Sequence, residues 1–202
     1  MEINRIERIF NLLSDEAFKD PNTGLLFFPV YIYTYDPKDE YQIREEINIL
    51  NNQLKRPSNS LNCLVINIYQ EFITYLKSQT FAGQSLIEEI INLENDDPEE
   101  AQEYIKEKAQ EENEFLDYIR EKITSYFKEK SSDKVYFLVY GFGTIFPYLR
   151  VSHFLKNIEK SAVNHKLIVF YPGDFKHSNY SLFGEFNDDN LYRANHLNQL
   201  LK

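Results

Sequence analysis

Residues 135–150 read VYFLVYGFGTIFPYLR, and this stretch decides the fold. Its first six residues are all apolar or aromatic, and Gly141 and Gly143 come soon after them. A continuous run rich in β-branched and aromatic residues predicts a strand that is buried on both faces. The glycines let the chain turn, and we expect a helix to start near Pro147. Open α/β sheets place their sites at the carboxyl ends of such strands, so if the chain binds a small molecule, this turn is the expected location of its site.

Three other segments have the apolar character of strands. They are residues 30–35 after Pro29, residues 61–69 after the turn Pro57-Ser58-Asn59-Ser60, and residues 166–171, which we expect to end at Pro172-Gly173-Asp174. Segments with helical periodicity separate them, and this alternation favours a mostly parallel sheet. The predicted fold class is α/β, with a sheet of about four to five strands covered by helices on both faces in three layers. From residue 175 onwards we expect an ordered loop with a short terminal helix or edge strand.

The middle of the chain predicts an acidic helical insertion. We expect one α/β domain over residues 1–202, with the insertion at about residues 70–130. Ser85 with Glu88 forms a capping box, and Asp97-Pro98 marks another helix start. Residues 99–130 contain 10 acidic and 6 basic side chains around an apolar stripe. Two interpretations of this charge stay open, a solvated face and a projection that binds a partner.

The charge balance disfavours two classes of partner. The chain has 22 Lys and Arg against 32 Asp and Glu, a net charge of -10, which opposes nonspecific binding to nucleic acid and to anionic membranes. No apolar run approaches the roughly 20 residues that a membrane helix needs. Cys63 is the single cysteine and lies in an apolar stretch, which favours a buried structural thiol over a nucleophile. These features predict a soluble, cytoplasmic protein.

The motifs of several catalytic classes are missing from the sequence. It contains neither the phosphate-binding loop of nucleoside triphosphatases nor the Gly-x-Ser-x-Gly turn of hydrolases. Gly141-Phe142-Gly143 lacks the third glycine of a dinucleotide fingerprint, and a plain strand-to-helix turn is its simpler interpretation. The four histidines are widely spaced and there is no second cysteine. We therefore expect no cofactor and no metal.

Polar residues near the predicted strand ends are the remaining candidates for a site. Asp36 precedes Pro37 and is either a helix cap or a site carboxylate. Arg150, one turn into the expected helix, either clamps a phosphate or carboxylate or braces the fold by pairing with Asp36 or Asp174. Further candidates lie in the tail, namely Asp188, Asp189 and Arg193.

Five segments together have a distinctive spacing. They are Tyr35-Asp36-Pro37, residues 141–150, Phe170-Tyr171-Pro172-Gly173, Leu182-Phe183-Gly184 and residues 188–194. This pattern resembles the BrxB family of the bacteriophage exclusion (BREX) defence systems, over nearly the whole chain. The resemblance implies a component of a multi-protein system that marks host DNA and blocks phage replication. The companions it implies are an alkaline-phosphatase-like protein (PglZ), a large ATPase (BrxC) and a DNA methyltransferase (PglX).

The resemblance brings no catalytic residues, so we expect a protein that is not an enzyme. The preferred hypothesis is an adaptor that binds other BREX proteins, the PglZ-like protein first and then the BrxC-like ATPase or the PglX-like methyltransferase. The alternative is a degenerate nucleotide- or phosphate-binding domain with its site at the glycine turn and Arg150. Both a monomer and a homodimer are compatible with the sequence. The candidate binding residues are Asp36, Gly141, Gly143, Pro147, Arg150, Gly173 and Asp174.

Overall fold

A computed structural model describes residues 4–19, 29–129, 135–158, 165–177, 179–188 and 194–201. The α-helices in these ranges are α1 (Arg5–Ser14), α2 (Glu16–Lys19), α3 (Glu40–Leu54), α4 (Ile68–Ser78), α5 (Leu86–Asp96), α6 (Pro98–Lys106), α7 (Glu114–Glu129), α8 (Phe142–Ile145) and α9 (Val151–Ile158). The strands are β1 (Val30–Tyr35), β2 (Asn62–Asn67), β3 (Thr80–Phe81), β4 (Gln84–Ser85), β5 (Val135–Tyr140), β6 (Lys166–Lys176), β7 (Asn179–Leu182), β8 (Phe186–Asp188) and β9 (Asn195–His196). Two 3₁₀-helices, Pro37–Asp39 and Leu197–Leu200, and a π-helical turn, Glu107–Glu111, complete these elements.

The main sheet has seven strands within the described ranges. Its path is β2-β5-β6-β1-β9 with every neighbouring pair parallel, and β7 and β8 extend it by antiparallel pairing from β6. The predicted α/β class and mostly parallel sheet are confirmed, but the sheet is larger than the predicted four to five strands. The additional strands are β7, β8 and β9, which come from the tail, where an ordered loop with a short terminal helix or edge strand was expected.

Strand β6 corrects one predicted boundary. Residues 172–174 were expected to close the strand, but β6 continues to Lys176. The first part of β6 lies between β5 and β1, and its parallel pairing with β1 reaches Pro172 opposite Tyr35. From Gly173 the same strand pairs antiparallel with β7. Because β6 changes its partner from β1 to β7 at this point, it stays extended across Pro172-Gly173, a dipeptide that usually indicates a turn.

The sheet is covered on both faces, as predicted. Side chains of a strand alternate between the faces, so Val30 and Ile32 of β1 join one buried cluster while Tyr31 and Tyr33 join the other. The first cluster contains the apolar faces of α4, α5, α7, α8 and α9. The second contains those of α1 and α3, together with the buried Cys63.

The helical insertion connects β2 to β5, two strands that pair with each other. It comprises α4, the β3–β4 hairpin, α5, α6, the π-helical turn and α7. The sequence indicates a long helical stretch from Asp97 to about Lys130, and within it the π-helical turn and Asn113, with φ at +59°, separate α6 from α7. Residues 68–129 contain 16 acidic and 6 basic side chains, whereas the rest of the chain has 16 of each. The insertion therefore carries the whole net charge of the protein.

Candidate functional site

The glycine turn after β5 is built around the side chain of Asn67. Gly141 has φ at +91°, and a Cβ at this position would lie 2.5 Å from Asn67 Oδ1. Asn67 ends β2 and caps α4, because its Oδ1 accepts hydrogen bonds from the N–H groups of Tyr69 and Gln70. A residue with a side chain at 141 would meet both backbone strain and this buried amide. The space inside the turn is thus filled by the protein itself.

A helix begins at this turn earlier than expected. The N–H groups of Thr144 and Ile145 donate to the carbonyl of Gly141, which starts α8 at Phe142. Pro147 was expected to start the helix, but it lies in the turn between α8 and α9 and follows a cis peptide bond. Arg44 of α3 secures the turn from the other side, since its Nη2 donates to Thr144 Oγ1 at 2.9 Å.

Three of the segments with distinctive spacing meet at the carboxyl edge of the sheet. A Cβ on Gly143 would lie 3.0 Å from Pro172 Cγ and 3.0 Å from the ring of Phe183, so all three residues are in close contact. Position 173 has even less room for a side chain, because a Cβ on Gly173 would lie 2.1 Å from the backbone oxygen of Ser181. The β5–α8 turn, the middle of β6 and the β7–β8 turn therefore form one packed unit.

Asp36 and Asp174 both have local partners. Asp36 caps the 3₁₀-helix 37–39, since its Oδ1 accepts from the N–H of Lys38 at 3.0 Å. It is thus a helix cap, the first of its two interpretations. Asp174 forms an exposed ion pair with Lys176 at 2.7 Å. Neither carboxylate pairs with Arg150.

Arg150 lies immediately before α9 rather than one turn into a helix. Its Nη1 donates to the backbone carbonyl of Asn187 in β8 at 3.2 Å. Its guanidinium carbon lies 5.9 Å from the centre of the Phe146 ring. The predicted brace to Asp36 or Asp174 is therefore wrong, and the reason is that α9 packs beside the β7–β8 hairpin, which the sequence did not reveal.

Of the predicted tail residues, Asp188 lies in the described part of the chain and is buried. Its Oδ1 accepts from the N–H of Ser152 at 3.4 Å and so holds the start of α9. Burial raises the pKa of the Asp188 carboxyl, although the hydrogen bonds from Ser152 and the charge of Arg150 oppose this change. We interpret Asp188 as a structural link between β8 and α9. Asp189 and Arg193, also candidates, lie outside the described residues.

Three phenylalanines form a contiguous aromatic cluster next to Arg150. The Phe146 ring lies 6.1 Å from that of Phe183, edge to face, and 4.8 Å from that of Phe186. Phe183 and Phe186 keep 37% and 42% of their surface exposed. We call Phe146, Phe183, Phe186 and Arg150 the aromatic surface. Its phenylalanines were not among the candidate residues predicted from the sequence, although two large apolar residues in a polar, turn-rich tail are an available signal.

The described part of the chain contains no group of three or more His, Cys, Asp and Glu side chains arranged to hold a metal ion. No described helix has both the length and the apolar character needed to cross a membrane.

Comparison with known proteins gives two matches. The family model described as BREX protein BrxB matches residues 64–197. A protein of Bacillus cereus (strain H3081.97), also described as BREX protein BrxB, is 29% identical to this chain over 191 residues, which cover 94% of each of the two chains. No solved structure matches the chain. Since the family model covers well over half of the sequence, and includes the glycine turn, β6 and the β7–β8 hairpin, the chain belongs to the BrxB family of BREX proteins.

Proposed function

We propose that this chain is a non-enzymatic adaptor of a BREX antiphage defence system and acts in the cytoplasm. It binds other BREX proteins, first the alkaline-phosphatase-like PglZ protein and then the BrxC-like ATPase or the PglX-like methyltransferase. Membership of the BrxB family supports a role as a BREX component. The choice of companions rests on what the family resemblance implies.

The aromatic surface carries the proposal. Phe183 and Phe186 remain more than one third exposed, although apolar side chains of this size are normally buried. Their rings contact Phe146, and Arg150 lies over the same ring. Aromatic residues and arginine are the residue types enriched at the centres of protein interfaces. A contiguous set of both at one edge of the sheet is suited to binding a partner protein.

The strand-end residues support a role without catalysis. Asn67 and Asp36 cap helices, Asp174 pairs with Lys176, and Asp188 holds the start of α9. These four polar residues thus each have a structural role of their own. This arrangement is typical of a scaffold that presents a surface.

The geometry of the glycine turn argues against the alternative, a nucleotide or phosphate site. A phosphate loop needs free backbone N–H groups and an open space in front of them. Here Asn67 fills the turn, the N–H groups of Thr144 and Ile145 bond to Gly141, and Phe183 covers Gly143. A thermal-shift screen with nucleotides and inorganic phosphate checks this, because a ligand at about 100 times its Kd adds roughly 2.7 kcal/mol to stability. We expect no shift, and a clear shift would favour the alternative.

Co-purification tests the adaptor proposal. The tagged chain is expressed with each of the three companions, and any complex is sized by light scattering. We expect a stoichiometric complex with one companion and a loss of at least about tenfold in its affinity for Phe186→Ser, as for interface anchors. Phe81→Ser is the matched control, because Phe81 is 72% exposed but lies on the separate β3–β4 hairpin. Absence of any complex at micromolar concentration would contradict the proposal.

A further inference from the structure

Arg150 has no carboxylate partner among the described residues, although the chain has ten more acids than bases. Among the described residues, its guanidinium contacts the carbonyl of Asn187 and the face of the Phe146 ring. The side chain is nevertheless exposed. The charge of Arg150 acts on the buried carboxyl of Asp188 without an ion-pair contact, so the exposed guanidinium is held in place without a paired carboxylate.

Two acids of the same edge, Asp174 and Asp188, have partners of their own. Asp174 forms its ion pair with Lys176 at 2.7 Å. Asp188 is buried and accepts a hydrogen bond from the start of α9. Asp188 interacts with Arg150 through its charge, but neither acid forms an ion pair with it, so the exposed guanidinium can still bind a carboxylate from outside.

The contacts of Arg150 hold its guanidinium in place but leave most of its N–H groups without a hydrogen-bond acceptor among the described residues. A guanidinium has five N–H groups, and one hydrogen bond to Asn187 leaves most of them unused. Its planar pair of N–H groups matches the two oxygens of a carboxylate, and such bidentate contacts are among the strongest in proteins. The partly exposed rings of Phe183 and Phe186 lie beside this position, because both contact Phe146.

We propose that the aromatic surface binds a partner-protein segment in which a carboxylate lies next to a large apolar side chain. The carboxylate, from Asp, Glu or a carboxyl terminus, contacts Arg150, and the apolar side chain packs on Phe183 and Phe186. Charge complementarity favours this acidic segment over a basic one. The inference rests on the proposed adaptor function and specifies the chemistry of the partner.

Substitutions at Arg150 test the carboxylate contact. Calorimetry measures the affinity of each variant for the companion that co-purifies with the chain. The proteins compared are the wild type, Arg150→Lys, Arg150→Ala and Phe186→Ser. We expect losses of about tenfold for Arg150→Lys, which keeps the charge but not the paired donors, and about 30-fold for Arg150→Ala. The matched control is Arg56→Ala, an exposed arginine in the turn before β2, for which we expect an unchanged affinity. Melting temperatures of all variants exclude misfolding as the cause.

Hydrogen exchange of the companion locates the bound segment. We expect one protected segment that contains Asp, Glu or the carboxyl terminus, and its protection should be lost with Arg150→Ala. If the companion binds but both Arg150 variants keep wild-type affinity, or if the protected segment has no carboxylate, the inference is overturned while the adaptor function stands. If no companion binds, both the adaptor function and the inference about the carboxylate segment are contradicted. The inference would also be overturned if inorganic phosphate raised the melting temperature of the wild type but not that of Arg150→Ala. That result would favour a phosphate ligand at Arg150.

Discussion

The carboxamide of Asn198 forms hydrogen bonds with both polar groups of the Thr34 backbone. Its Oδ1 accepts from the Thr34 N–H at 2.9 Å, and its Nδ2 donates to the Thr34 carbonyl at 2.8 Å. Strand β9 pairs with β1 only opposite Tyr31 and Ile32, so the side chain continues the pairing where the strand stops. Asn198 therefore protects the edge of β1 from pairing with another chain.

Loss of this contact should destabilise the protein. Asn198→Ala leaves the N–H and the carbonyl of Thr34 without these partners, and we expect the free energy of unfolding to fall by about 1–3 kcal/mol. Urea denaturation measures this change as a lower midpoint. Gln199→Ala, at the exposed neighbouring position, is the control and should stay within about 0.5 kcal/mol of the wild type. Equal stability of the two variants would show that the edge does not depend on Asn198.

Gly173→Ala should be among the more damaging single substitutions in the sheet. The new Cβ would lie 2.1 Å from the oxygen of Ser181, so β6 and β7 must separate, and we expect a loss of about 3 kcal/mol. Gly83→Ala is a suitable control, because nothing lies within 4 Å of that position and only backbone strain of about 1 kcal/mol applies. Thermal unfolding of both variants gives the comparison. A Gly173 variant as stable as the Gly83 variant would contradict the close β6–β7 contact.

Stability should decrease on mild acidification because of His196 and His153. Burial lowers the pKa of both imidazoles, and His196 also stacks on Phe175 with ring centres 4.3 Å apart. A lowered pKa means that the unfolded chain binds more protons than the folded one below the ordinary histidine pKa of about 6.5. The contribution to stability is therefore complete above this pH and decreases as the pH falls towards the folded-state pKa.

Melting temperatures between about pH 5 and pH 8 measure this effect. We expect a fall below about pH 6.5 in the wild type, and a smaller fall in His196→Gln. His177→Gln serves as control, because His177 is exposed. A fall of the same size in His196→Gln as in the wild type would assign the pH dependence to other groups.

Cys63 should react slowly with thiol reagents in the folded protein. Burial raises the pKa of its thiol to about 12, and its side chain lies in the cluster with α1 and α3. Both inaccessibility and the small thiolate fraction slow the reaction. With Ellman's reagent we expect one thiol to react rapidly in guanidinium chloride and only slowly in buffer. A native rate close to that of a free thiol would contradict burial of Cys63.

Local signals predicted much of the framework. The apolar runs of β1 and β5 have the predicted bounds, and the capping box of Ser85 with Glu88 and the cap at Asp97 are confirmed. These features depend on residues within a few positions of one another, because strand burial, helix periodicity and capping are short-range properties. The glycine turn was also located correctly, and its simpler interpretation as a strand-to-helix turn is confirmed, but the sequence did not show which residue packs inside it. Its companion Asn67 is 74 positions away in the sequence.

The sequence by itself thus determined the α/β class, the central strands, the helix caps and the acidic character of the insertion. Only the tertiary structure decided that β6 changes partner at Gly173, that the tail supplies β7, β8 and β9, and that Arg150 meets Asn187 rather than Asp36 or Asp174. It also decided that Phe146, Phe183 and Phe186 form one surface. The physical reason is that the contacts of Arg150 with Asn187, of Phe146 with Phe183 and Phe186, and of β9 with β1 join segments more than 30 residues apart, and they form only when packing of the sheet brings the segments together. The β6–β7 pairing is close in sequence, but it begins only where the pairing of β6 with the distant β1 ends, at Pro172.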